Sequence, residues 1–200
     1  MMRKDNDPYI GLTYYGNDFD KTIAQLEKDS IVFSKKSKEG DPVKRYFIKS
    51  CDGFNIILVP NIGNFQQPSG ITMLNMKPAD YTSADKFPNK QCGVFGEFCH
   101  PVTDLDLSLA FWKRLGFTVK GGMKGPEAYS IVSDGLMIIG LHQTKEFNYP
   151  AITYFGINTA KRIQDLKDKG VQNFKEMGDK NNGVLTTWEK QHFFLFSFGM

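Results

Sequence analysis

Three times along the chain, a short apolar run is followed by apolar positions at helical spacing and then by further strand-sized apolar runs. The first begins at Tyr9-Ile10-Gly11-Leu12-Thr13-Tyr14-Tyr15, rich in β-branched and aromatic residues. Asn17 and Asp18 are capping candidates, and Phe19, Ile23 and Leu26 then fall on one helical face. A polar hairpin follows, centred on the turn signal Glu39-Gly40-Asp41-Pro42. Tyr46-Phe47-Ile48, the turn Asp52-Gly53 and the run from Phe54 to Val59 close the unit. The pattern predicts strand, helix, strand, strand, strand.

The order returns from Glu97. Phe98 to Val102 reads as extended, and Thr103-Asp104-Leu105-Asp106 as a helix start with a capping carboxylate three residues on. Leu105, Leu109 and Trp112 make an apolar stripe, which Leu107, Phe111 and Leu115 broaden, and Gly116 ends the helix. Phe117-Thr118-Val119, Tyr129-Ser130-Ile131-Val132, the turn Asp134-Gly135 and the run from Leu136 to Leu141 complete this unit. Gly121-Gly122-Met123-Lys124-Gly125 reads as a hairpin loop between its strands. In the third copy, the run from Ala151 to Ile157 is a strand, Ala160, Ile163 and Leu166 mark a helix, and Gly170 stops it. Asn182-Gly183 predicts a hairpin turn before Val184-Leu185-Thr186-Thr187-Trp188. The last run, from His192 to Phe198, is apolar on both faces, which places that strand centrally.

Pro60, Pro68, Pro78 and Pro88 punctuate the stretch between the first two copies, with a short strand expected at Ile71-Thr72-Met73-Leu74. The second and third copies are separated only by the stretch from Gln143 to Pro150. The spacing predicts an N-terminal module over 1–62, a linker over 63–94 and a paired domain over 95–200. The fold class is α+β: tandem βαβββ modules forming a mixed sheet, with an additional N-terminal βαβββ-like module.

Composition changes this picture little. A hydrophobic share of 40% and a charged share of 24% are ordinary for a globular protein, while 17 Phe residues suggest an aromatic-rich interior or pocket. A net charge of +3 is too small to argue for nucleic acid, and no apolar run is long enough to span a membrane. Cys51, Cys92 and Cys99 are odd in number and form no C-x-x-C pair, which argues against disulfides or a zinc knuckle and for a cytoplasmic, reducing location.

The second unit's helix, Val102-Thr103-Asp104-Leu105-Asp106-Leu107-Ser108-Leu109-Ala110-Phe111-Trp112-Lys113-Arg114-Leu115-Gly116-Phe117, together with the Asp52-Gly53 and Asp134-Gly135 turns, resembles the vicinal oxygen chelate superfamily. That class includes glyoxalases, bleomycin-resistance proteins and extradiol dioxygenases. The resemblance implies that two units curl into a cup whose mouth takes a small-molecule ligand, often beside a divalent metal. The family's first ligand position falls on Glu97 in the second copy, but near Ile152 in the third and Gly11 in the first. Its carboxylate position on the final strand falls on the apolar Ile57, Ile139 and about Leu195.

A one-residue bulge would instead turn Gly140 and His142 inward, so Glu97 and His142 are the candidate metal residues, half of a site. A solvated strand-start carboxylate and a hydrogen-bonded rim histidine are the plainer readings of the same two residues. His100 has the opposite strand parity to Glu97, and His192 opens the last strand beside a turn. Cys99 shares parity with Glu97 and would face the cup, either as a nucleophile with His142 as base or as a buried core thiol. Phe98, Cys99, Trp112, Tyr129, Tyr154 and Trp188 are the candidate ligand-binding walls, and no residue is assigned a catalytic role.

Two functions follow as expectations. One is capture of a small organic molecule in an aromatic-lined cup with an incomplete metal site. The other is a lyase, isomerase or dioxygenase dependent on one divalent metal (Zn, Ni, Mn or Fe). Because three units leave one without a partner, residues 8–60 are expected to pair with a second copy as a homodimer.

Overall fold

The computed structural model describes residues 11–63, 72–77, 80 and 87–198. The first unit consists of β1 (Gly11–Gly16), α1 (Phe19–Lys28), β2 (Phe33–Lys36), β3 (Tyr46–Lys49) and β4 (Asn55–Pro60). The second is β5 (Val94–Pro101), α2 (Leu105–Arg114), β6 (Thr118–Met123), β7 (Ala128–Ser133) and β8 (Ile138–Gln143). The third is β9 (Ala151–Gly156), α3 (Thr159–Asp168), β10 (Phe174–Met177), β11 (Asp179–Thr186) and β12 (His192–Ser197).

Each unit pairs its first strand parallel to its last, and its remaining strands antiparallel. Units two and three join through antiparallel pairing of β5 with β9. The result is one eight-stranded sheet, ordered β10-β11-β12-β9-β5-β8-β7-β6, symmetric about the β5/β9 seam. The first unit keeps a separate four-stranded sheet. The paired βαβββ architecture expected from the repeat is therefore present, and β12 is central, bonded to both β11 and β9.

Local chemistry explains the helices. Asp104 caps α2 by accepting a hydrogen bond from the Leu107 amide at 2.9 Å, and Gly116 ends it with φ +89°. The cap is thus one residue later than Thr103. Trp112, from the predicted stripe, is fully buried, packed edge-on against Phe54 and Phe117.

That packing corrects one expectation. The first unit is not without an intrachain partner: Leu12, Ile31, Ile48, Phe54 and Ile56 share one core with Val102, Trp112, Phe117, Val132, Ile139 and Leu141. Polar ties reinforce the junction. The Tyr14 hydroxyl donates to Asp134 at 2.8 Å, Arg114 donates to the Asp29 carbonyl at 2.9 Å, and Ser108 donates to Asp52. Apolar area that a lone unit would have to bury elsewhere is buried here against the neighbouring unit.

Three local expectations also change. Thr72 to Leu74 include a turn rather than a strand; Ile71 lies outside the described residues, as do Tyr9 and Ile10. Gly121, Gly122 and Met123 belong to edge strand β6, paired with β7, not to a loop. Asn182-Gly183 lies inside β11 rather than at a turn, the chain reversing instead at Gly178 with φ +72°. Two contacts hold that pair in the strand. The Asn182 side chain accepts from the Ser197 amide at 3.1 Å, and a Cβ on Gly183 would meet Ile163 at 3.1 Å. The glycine serves close helix packing, not a turn.

Candidate functional site

Strand alternation sets the site. Cys99 pairs with Gly140 across the parallel β5/β8 ladder, so Glu97 and Cys99 on β5 share a face with Gly140 and His142 on β8. A bulge is present, but in β5 between Phe95 and Glu97, while β8 runs in regular register. Gly140 and His142 reach the inner face without the bulge expected in β8.

Glu97 is 7% exposed, and its carboxylate lies over Gly140, where a Cβ would meet it at 2.1 Å. Absence of a side chain at Gly140 makes the carboxylate's berth. His142 Nε2 is 2.8 Å from Glu97 Oε1, and the Tyr129 ring stacks on His142 at 5.5 Å and 14°. Cys99 is 2% exposed; burial first, then the charge of Glu97, push its thiol far above the ordinary range. A thiol held protonated is a poor nucleophile, so the Cys99–His142 nucleophile arrangement gains nothing from this geometry.

Ligand atoms of Glu97, Cys99 and His142 all lie within 4.8 Å of one another. Across the β5/β9 seam, Glu97 pairs with Thr153, whose hydroxyl is fully buried and has no hydrogen-bond partner. A carboxylate, a thiol and an imidazole within that reach are chemically suited to a divalent cation. The residues present therefore could hold a divalent ion.

Above His142 opens a hollow of about 640 Å³, lined among others by Tyr129, Phe147, Met177, Asn182 and Phe196. Its size suits a small organic molecule. Beside it, Cys99, Ala151, Val184 and Phe194 form a small core with Phe147 and Tyr149 against it.

Of the residues singled out from sequence, Glu97, Cys99, Tyr129 and His142 come together. Phe98 faces the opposite side and packs against the Trp112 core. Trp112 lies within that core, since the stripe of α2 seats the first unit and not the cup. Tyr154, paired with Phe95, is also on the far face. Trp188 sits in the turn after β11, 86% exposed. Sequence reasoning missed Phe147, Met177, Asn182 and Phe196. The aromatic Phe147-Asn148-Tyr149 within the short connector was the available signal.

The other histidines are elsewhere. His100 faces Phe54 at 5.0 Å, buried, with both ring nitrogens unpartnered; burial holds its imidazole below the ordinary value despite the pull of Asp52. His192 stacks on Tyr149 at 3.7 Å and bonds Thr186 at 3.1 Å.

No protein-family model matches the chain, and no curated protein matches it significantly. Solved structures do resemble it. The 2,3-dioxygenase LapB from Pseudomonas sp. KL28 aligns with TM-score 0.54 and 13% identity, over 94% of this chain and 71% of that one. A 2,2',3-trihydroxybiphenyl 1,2-dioxygenase from Sphingomonas wittichii strain RW1 aligns with TM-score 0.51 and 11% identity, over 94% and 69%. A Mn(II)-bound glyoxalase from Novosphingobium aromaticivorans aligns with TM-score 0.50 and 14% identity, over 94% and 62%. At these identities the likeness speaks to fold alone: the paired βαβββ arrangement is shared with these dioxygenases and this glyoxalase. Among the described residues, no helix is long and apolar enough to cross a membrane.

Proposed function

We propose that this chain, a vicinal oxygen chelate fold with one polar corner, captures a small organic molecule in the hollow over His142. The observation that carries the reading is the stack of Tyr129 on His142, itself bonded to Glu97, at the edge of an aromatic-lined space. The flat faces of Tyr129 and Phe147 suit a planar ligand, and His142 supplies a polar contact that orients it. In this reading residues 95–200 are the ligand-holding domain, residues 1–62 an attachment and residues 63–94 their linker. Thermal-shift titration with planar oxygenated aromatics, catechol first, tests it. A saturable stabilisation lost in Tyr129→Ala supports capture, and no response from any compound sinks it.

The second reading is a metal-dependent lyase, isomerase or dioxygenase. The Glu97–Cys99–His142 convergence favours it. A divalent ion bound there would polarise vicinal oxygens of a substrate. Glu97 and His142 would hold it, and Tyr129 and Phe147 would position the substrate. Metal analysis checks this: Glu97→Ala must abolish metal uptake, and unchanged metal content removes the reading.

The free thiols of Cys51, Cys92 and Cys99 accord with a reducing, cytoplasmic setting. The outer face of the first sheet, where Tyr15 is 50% exposed, is the surface we assign to a homodimer contact. A strictly monomeric species at high dilution would contradict that assignment.

A further inference from the structure

We propose that Cys99 is a third metal ligand, and that it makes the Glu97–Cys99–His142 cluster a zinc site that discriminates against manganese. This inference rests on the metal reading of the site and names its ion.

Three observations carry it. The donors come from adjacent strands on one face, with ligand atoms within 4.8 Å. Zinc bonds of about 2.0–2.3 Å place tetrahedral donors roughly 3.4–3.6 Å apart, so closing the site takes movements of about an ångström. The Glu97–His142 contact at 2.8 Å widens slightly and the Cys99 sulfur swings in. The carboxylate reaches the cluster through the space left by the absent side chain at Gly140.

The second observation is charge. Glu97 and Cys99 are both buried, at 7% and 2% exposure. A carboxylate and a thiolate together neutralise a dication, which suits a buried site. On binding, the sulfur–zinc bond replaces the S–H bond, and the proton leaves to solvent.

The third is the Thr153 hydroxyl, fully buried, without a partner and cross-strand from Glu97. It is a polar group left facing the cluster from the third unit, whose own imidazole on that face, His192 beside Ala151, is stacked on Tyr149 and bonded to Thr186 and lies outside the cluster. Every donor of the cluster is thus supplied by the second unit, and His142 lies on the wall of the hollow beside Tyr129 and Phe147. A soft thiolate with an imidazole and a single carboxylate selects zinc; manganese prefers oxygen-rich, six-coordinate sites.

The test uses the full chain, stripped with chelator and titrated with Co²⁺ as a coloured stand-in for zinc. The expected result is one equivalent bound, with a thiolate-to-cobalt charge-transfer band. Zinc should bleach that band stoichiometrically, while equimolar Mn²⁺ leaves it unchanged. Cys99→Ser should lose the band and weaken zinc binding by more than the about 100-fold typical of losing a supporting residue. Cys51→Ser and Cys92→Ser should keep both. Cobalt bound without the band, no stoichiometric binding, or displacement by manganese would overturn the proposal; the wild-type spectrum decides even if Cys99→Ser does not fold. Organic-ligand binding that persists in chelated protein would leave the capture reading standing after such a failure. A cobalt–thiolate spectrum without any organic ligand would leave the metal site standing alone.

Discussion

Units two and three are copies of one fold joined edge to edge, yet their inner faces differ in kind. Unit two presents Glu97, Cys99 and His142 from its first and last strands. Unit three presents Ala151, Thr153, Phe194 and Phe196 from the corresponding strands, with its His192 stacked on Tyr149 outside the cluster. A symmetric scaffold therefore carries a one-sided site, in which one half supplies ligands and the other supplies apolar wall. The lesson is that backbone repetition fixes where a ligand can point, and only the side chain at each register position decides whether one exists. The first unit makes a further contrast, since it meets α2 through a packed core around Trp112, with a smaller cavity of about 250 Å³ at its edge beside Tyr14, Leu115 and Phe117.

The largest effect that would break this comparison lies in that core. Trp112→Ala should cost about 3–5 kcal/mol, as deletion of a buried aromatic does. Denaturant unfolding would show the loss. The hollow shares no wall with Trp112, so ligand affinity in the folded fraction should hold; a parallel loss of affinity would mean that the core and the site are one unit.

Next comes Gly140→Ala, which puts a methyl where the Glu97 carboxylate rests. Overpacking of this sort costs about 1–3 kcal/mol. Glu97→Ala combined with Gly140→Ala should be less destabilised than the sum of the two single variants, because the clash disappears. Additive stabilities in that cycle would show that Glu97 does not occupy the berth.

His100 provides a pH test on the side away from the site. Its folded imidazole titrates below the ordinary 6.5, so the unfolded chain takes the proton first as pH falls. The stability contributed by neutral His100 is whole above about pH 6.5 and is lost as pH drops below it towards the folded value. His100→Phe should flatten the difference between urea midpoints at pH 7 and pH 5; an undiminished acid loss would place the sensitivity elsewhere.

The smallest effect is expected at the seam. Thr153→Val removes a buried hydroxyl without a partner, so the metal-free protein should be unchanged or more stable by about 1 kcal/mol. A clear destabilisation would mean that the hydroxyl already has a partner.

The repeat itself was legible because it rests on local rules. Apolar periodicity, the Asp104 cap, Gly116 and the Asp52-Gly53 and Asp134-Gly135 turns each act within a few residues. The shared face of Glu97 and Cys99 was legible as well, since strand parity is a two-residue property, whereas His142 was reached only through a bulge in β8 that the structure places in β5 instead. Asn182-Gly183 misled, because its glycine answers to Ile163 on α3, a contact that no turn rule contains. Trp112 and Phe98 misled in the same way: aromatic character marks burial, but not which side of a sheet is buried against what.

Sequence alone determined three units, their element order and the parity that puts Glu97 and Cys99 on one face, because these follow from spacing along the chain. Tertiary structure alone decided that the first unit packs on α2 and that Phe147 and Met177 border the hollow. It alone also seated the Glu97 carboxylate in the gap left by Gly140. Most of those outcomes depend on residues distant in the chain meeting in space, as Glu97 and Gly140 do, and spacing along the chain carries no record of such meetings.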